Sequence, residues 1–258
     1  MWVDVWPINI YAYNCRQSGS MALHMFDALF LHAHDAQEVL DNPEAKKSIE
    51  QAMKNMRDLV GSLPFKPSHT PLAVMPNLEK EFFDYYYRGV YDEFWSQECN
   101  DFARYFDRHA DIPTVYSGGW YDPFCEATTL YFAAMARQNS TPQRLIMSPW
   151  THTSMRGWGQ TWAGDVDFGP ASTMGDAACN QFRLRWFDRW LKDDPNGVED
   201  EPPVRIFVMG GGDGRKTKGK LAHGGRWRTH GQWPVERAGQ TDNFLYSDGD
   251  LRPQPPGQ

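Results

Sequence analysis

At 258 residues the chain can bury one large core or two smaller ones, and its 11 Trp, 11 Tyr and 15 Phe supply wide apolar faces or a lined pocket, plain core packing being the commoner use. The formal charge of −7, carried by interspersed acidic and basic residues, excludes the concentrated basic patch that a nucleic-acid backbone requires. No run approaches the ~18 apolar residues of a membrane span, and the four cysteines form no C-x-x-C pair that would signal a zinc site or a disulfide framework, so they read as buried thiols.

Residues 1–20 are aromatic-rich and irregular, and the opening MWVDVWPINIY has neither the basic nor the apolar block of a signal peptide, so the cytoplasm is the compartment it favours. Residues 21–34 carry apolar side chains at 22, 23, 25, 26, 29, 30 and 33, a helical recurrence. A second helix is expected over 43–60, with Pro43 suited to a first turn and Gly61 to an end. Prolines at 64, 67, 71 and 76 make 63–77 an extended connector. Aromatic helical segments return over 78–106, so the first hundred or so residues read as mainly helical.

The character then changes. IPTVYS at 112–117 and QRLIMS at 143–148 are short apolar runs flanking a helical pattern at 124–137, which together predict a right-handed βαβ unit with parallel strands. Over 176–192 the spacing places Phe182, Trp186, Phe187, Trp190 and Leu191 on one helix face. DDPNGVEDEPP at 193–203 has the acidic, turn-rich composition of a linker. Beyond it VRIFVM and short aromatic segments suggest β structure.

Asp122 lies five residues past the first apolar run and His152 four past the second, so two parallel strands present them at the same edge of a sheet. Strand ends of a parallel sheet fix catalytic groups while leaving their tips open. An imidazole there can take a proton from a hydroxyl, and a carboxylate can hold its tautomer and stabilise the imidazolium. Acid before histidine is the chain order of an α/β-hydrolase. A generic strand-end Asp and His would nevertheless be structural more often than not. Trp120, Tyr121 and Trp150 flank the pair, and either line an acyl pocket or pack beneath the loops.

GGWYD at 118–122, PWTH at 149–152, GDVDFGP at 164–170, RWFDRWL at 185–191, PPVRIFVMG at 202–210 and GGRWRTHGQWP at 224–234 occur in this order. Together they resemble the family of cocaine esterase, α-amino-acid ester hydrolases, glutaryl acylases and X-Pro dipeptidyl-peptidases, the CocE/NonD hydrolases, most strongly from residue 91 to 251. The resemblance implies a serine hydrolase with Asp122 as triad acid and His152 as base, acting on a small ester, an amide or a short peptide with no cofactor or metal. The family often has Gly before that Pro and after that His, where this sequence has Ser148 and Thr153. It also implies a partial α/β-hydrolase core, a helical cap and the start of a β jelly roll, here divided as 1–105 cap, 106–195 second half of the core, and 196–258 linker and jelly roll.

A nucleophile elbow needs small neighbours around its serine, as in G-x-S-x-G. No such segment is found: Ser117 has Val115 two before it, Ser20 has Ser18 and Ser18 has Arg16. The expectation is therefore an internal-to-C-terminal fragment that carries the acid and histidine, is inactive alone, and pairs with the missing N-terminal half or with itself. A non-catalytic binding or assembly module derived from that fold is the alternative. Two weaker patterns read as structural. His32 and His34 point about 200° apart on a helix and cannot readily share a metal, and GGGDGRKT at 210–217 places Arg215 where a phosphate loop needs Gly, so it reads as a hairpin or surface loop. Asp165 and Asp167 could orient the histidine, although turn chemistry is the commoner use.

Overall fold

The protein is described from a computed structural model that covers residues 1–4, 8–152, 160–236, 239 and 241–256. Its first part contains a short strand, β1 (Trp2–Asp4), followed by α1 (Leu23–His34), α2 (Gln37–Leu40), α3 (Pro43–Lys54), α4 (Met56–Gly61) and α5 (Pro76–Tyr87). Pro43 takes the first helical position, and the Asn42 side chain caps α3 by accepting the Ala45 N–H at 3.1 Å, an arrangement that contributes about 1 kcal/mol. The helix expected over 43–60 breaks at Asn55 (φ −111°, ψ 32°), a residue type whose side chain competes with the helical backbone. After α5 the aromatic stretch turns, and only Phe102–Arg108 regains 3₁₀ geometry.

Phe26, Leu29 and Phe30 of α1, Ile49 of α3, and Phe82 and Phe83 of α5 share one core with Phe65 and Leu72 of the proline-rich connector. Each such ring or branched chain contributes about 1.5–3 kcal/mol by leaving water. The connector is tied down by Glu79, a buried carboxylate that accepts the Ser68 N–H and, at 2.6 Å, the Thr70 hydroxyl. Charge-assisted hydrogen bonds of this kind make a buried acid tolerable.

From residue 114 the chain forms β2 (Thr114–Tyr121), α6 (Cys125–Gln138), β3 (Gln143–Thr151), β4 (Trp162–Ala163), β5 (Val166–Asp167) and α7 (Asp176–Lys192). It continues as β6 (Val204–Met209), β7 (Lys216–Thr217), β8 (Lys220–Ala222), β9 (Gly225–His230), β10 (Phe244–Leu245) and β11 (Leu251–Arg252). The main sheet has the order β1-β2-β3-β6-β9. Its first four strands are parallel, and β9 runs antiparallel to β6. The β2–α6–β3 unit expected from the two apolar runs is present. Strand alternation sends Tyr116, Leu145 and Met147 to the α6 side with Phe132 and Met135, and Val115 and Ile146 to the other side with Trp186 and Val198.

Of the five large residues expected to share one face of α7, Phe182, Trp186 and Trp190 lie inward, at i, i+4 and i+8, while Phe187 and Leu191 are exposed. A residue turned about 100° from that narrow stripe no longer faces the sheet. The acidic stretch 193–203 leads into β6 of the same sheet, and it is anchored along its length. Carbonyls of Val198 and Pro202 accept the buried Arg144 guanidinium, and Arg189 and Arg185 pair with Glu199 and Glu201 at 2.5 and 2.7 Å. Beyond β6, residues 210–222 end in the β7–β8 hairpin, as the surface-loop reading of GGGDGRKT anticipates.

Of the four thiols, Cys15 and Cys179 are buried, Cys125 is half-buried, and Cys99 is exposed rather than buried as expected. Burial pushes the Cys15 thiol up to about 12, which keeps it out of the reactive thiolate form at neutral pH. Alkylation with iodoacetamide at mildly alkaline pH, read by peptide mass spectrometry, is expected to modify Cys99 and spare Cys15 until the chain is unfolded. Equal labelling of both in the folded chain would contradict this packing.

Candidate active site

Both strands run further than the apolar runs suggest, so Asp122 and His152 directly follow the last residues of β2 and β3. Gly119 is what allows this. A β-carbon there would lie 2.2 Å from the Trp150 carbonyl oxygen, so only glycine lets the two strands meet this closely. The register passes from Gly119↔Ser148 to Tyr121↔Thr151, leaving one additional residue on β3. Pro149 and Trp150 fall in that irregularity, where a residue without a backbone N–H is tolerated. Ser148, one of the two departures from the resembled pattern, is buried and donates its hydroxyl to the Gly118 carbonyl at 3.2 Å. Thr153, the other, lies outside the described residues.

The two strand ends bring Asp122 Oδ2 and His152 Nδ1 to 3.0 Å. A carboxylate oxygen accepts, so Nδ1 carries the hydrogen and Nε2 is the ring nitrogen placed to exchange a proton with a substrate or nucleophile. The Asp122 side chain is fully buried, whereas that of His152 is 48% exposed. This contrast is what an acid–base pair needs, with an orienting group held in the protein and a working group at its surface. Asp122 Oδ1 accepts the Phe124 N–H at 2.8 Å, and its carbonyl accepts the Cys125 N–H at 3.1 Å. Both carboxylate oxygens are thus engaged, and the residue forms a rigid turn into α6.

Phe124 is the site residue that sequence reading missed. Its N–H holds Asp122, and its ring stands edge-on to the His152 imidazole at 5.5 Å and to that of His24, from α1, at 6.0 Å. An Asp-Pro-Phe ahead of a helix is the signature of a turn closed by the aspartate side chain, so this placement had a readable signal. It links the pair to the helical region, because His24 in turn bonds the Asn14 side chain.

The three flanking aromatics go to different places. Trp120 donates its Nε1 to the Phe207 carbonyl at 2.8 Å and packs against Trp233. Trp150 is buried beside Trp227 and Cys179. Tyr121 is exposed next to Asp122, with its ring 5.8 Å from Phe168. Asp167 accepts the Gly169 N–H at 2.8 Å, which is turn chemistry. His34 pairs with Asp35 at 2.8 Å and approaches Glu50 at 3.7 Å, and among the described residues no group of three or more His, Cys, Asp and Glu is arranged to hold a metal ion. Among them, too, no helix is long and apolar enough to cross a membrane.

Residues 8–154 match the family model of the X-Pro dipeptidyl-peptidases (S15 family), and residues 196–258 match that of the X-Pro dipeptidyl-peptidase C-terminal non-catalytic domain. The chain is 26% identical over 209 residues to cocaine esterase of Rhodococcus sp. (strain MB1 Bresler), an alignment covering 80% of this chain and 32% of that protein. It therefore spans about a third of the length of this relative. Among solved structures it is similar to a CocE/NonD family hydrolase from Staphylococcus aureus, at 14% identity and a TM-score of 0.48 over 71% of this chain and 28% of that one. An aminopeptidase from a marine sediment Thaumarchaeota archaeon matches at 22% identity and a TM-score of 0.47, over 70% and 27%.

Proposed function

This chain belongs to the X-Pro dipeptidyl-peptidase (S15) family, and on that premise we propose that it supplies the acid and the base of a serine hydrolase cleaving ester or amide bonds through an acyl-enzyme. The observation that carries this reading is the 3.0 Å contact between Asp122 and His152 at adjacent parallel strand ends. His152 Nε2 takes the proton of a serine hydroxyl as its oxygen attacks the acyl carbon, then delivers that proton to the departing alcohol or amine. Water, activated by the same nitrogen, releases the acid and frees the serine. Asp122 keeps the hydrogen on Nδ1 and stabilises the imidazolium formed in each half-reaction.

The serine and the donors of the oxyanion hole come from polypeptide other than these residues, which contain no G-x-S-x-G-like segment. Substrates are small esters, amides or short peptides. Of the three flanking aromatics, Tyr121 touches substrate, while Trp120 and Trp150 hold the strand ends from beneath. In the same reading residues 1–105 form the cap, 106–195 half of the catalytic core, and 196–258 the linker and the beginning of the C-terminal β domain.

The test uses the full natural polypeptide. A fluorophosphonate reagent is expected to modify one serine outside these 258 residues and to abolish ester hydrolysis, with a chelator having no effect. Hydrolysis lost to the chelator but indifferent to the reagent would sink the proposal, as would a reactive serine mapped within this sequence. No labelling and no hydrolysis would favour a binding module built on the same fold.

A further inference from the structure

An open groove of about 630 Å³ lies on the sheet face opposite α6, bounded by Ile146, Met174, Phe182 and Trp227 and by the guanidinium-bearing residues Arg144 and Arg205. Asp122 and His152 do not line it. Two N–H donors along it, Arg144 Nε and Trp227 Nε1, are buried and meet no acceptor among the described residues. An unsatisfied buried donor forgoes a hydrogen bond it could make, so each such group asks for a partner.

The charges around the groove sharpen what that partner is. Arg205 lies with its guanidinium 5.0 Å from the Trp227 ring centroid and makes no ion pair among the described residues. The carboxylate that lines the groove, Glu201, is held 2.7 Å from Arg185. The Nη atoms of Arg144 are spent on the carbonyls of Pro202 and Val198. Burial lowers the pKa of Arg144 against the opposing pull of Glu201, Glu199 and Asp200. What the groove offers is therefore donors, positive charge and apolar walls.

We propose that this groove binds a small oxyanion, a carboxylate or a phosphate monoester, carried on a flat apolar body. The oxyanion meets Arg205 and Trp227 Nε1, which stand together, where charge-assisted hydrogen bonds are strongest. The flat body lies along Met174, Phe182 and Ile146. A space of this size suits a small molecule.

The test titrates the 258-residue chain with phenyl phosphate, with benzoate, with inorganic phosphate, and with benzyl alcohol as a neutral isostere, by calorimetry. Saturable binding of phenyl phosphate or benzoate is expected, the tighter of the two telling phosphate from carboxylate, with benzyl alcohol and inorganic phosphate at least about tenfold weaker. Arg205→Gln should weaken the anion about tenfold, and Trp227→Phe, which keeps a ring but loses Nε1, by a smaller factor. Asp122→Asn should leave it unchanged, so failure here is separate from failure of the catalytic reading. Circular dichroism and the unfolding midpoint establish that each variant is folded. Absent binding, equal affinity for benzyl alcohol, equal affinity for inorganic phosphate (an adventitious ion only), or full affinity in folded Arg205→Gln would each overturn the proposal.

Discussion

Replacing His152 by Ala is expected to lower kcat for a chromogenic ester by about 10⁶-fold with KM little changed, and Asp122→Asn by about 10⁴-fold. Both are measured by steady-state kinetics in the natural polypeptide. Without an imidazole nothing at the strand end accepts the serine proton, so nucleophilic attack loses its base and the leaving group its acid. Asp122→Asn preserves shape at a side chain that is fully buried. The amide, however, can turn its own N–H toward Nδ1, which then holds the wrong tautomer and no longer supports the imidazolium. Because the two residues act as one unit, the double variant should be no slower than His152→Ala alone. Turnover within about a hundredfold of wild type in His152→Ala would remove the histidine from the mechanism. An additive double variant would break the link between the two.

The parts of this site that were legible are those written in local pattern. Two apolar runs, a helical stretch between them, and Asp122 and His152 just beyond each run were enough to place both groups at one sheet edge, and the structure brings them together at 3.0 Å. What was less legible depends on close approach between distant segments. Gly118-Gly119 reads as the end of a strand, yet β2 continues through both to Tyr121 because its neighbour passes so near. The joining of β9 to the main sheet is of the same kind. A β-carbon at Gly225 (φ +139°) would lie 2.4 Å from the Phe207 ring and 2.6 Å from the Val208 carbonyl, so this pairing rests on a glycine whose partner is far off in sequence. Phe187 and Leu191 were misplaced for the opposite reason, since a periodic pattern gives the width of an apolar face but not how much of it a neighbour covers.

Gly119→Ala is therefore expected to destabilise the fold by about 3 kcal/mol or more, and in doing so to pull Asp122 and His152 apart. The added methyl would sit 2.2 Å from the Trp150 oxygen and 2.8 Å from its carbonyl carbon, both backbone atoms that cannot swing aside as a side chain does. Relief requires β2 and β3 to separate at the point where each delivers one member of the pair. Two other glycines calibrate the claim. At Gly118 the nearest atoms are Met147 Sδ at 2.9 Å and Thr128 Cγ2 at 3.1 Å, and the flexible methionine can shift, so Gly118→Ala should lose only about 1 kcal/mol. At Gly61 nothing lies within 4 Å, and Gly61→Ala should stay within about 0.5 kcal/mol of wild type. Urea unfolding of the three variants gives the ranking. The Nδ1 proton of His152, followed by NMR in folded Gly119→Ala, reports the pair directly and should lose the signature of its bond to Asp122. A Gly119→Ala chain as stable as Gly61→Ala, with that proton unmoved, would mean that the strands can part without disturbing the site, and the account of how β2 and β3 hold it would be wrong.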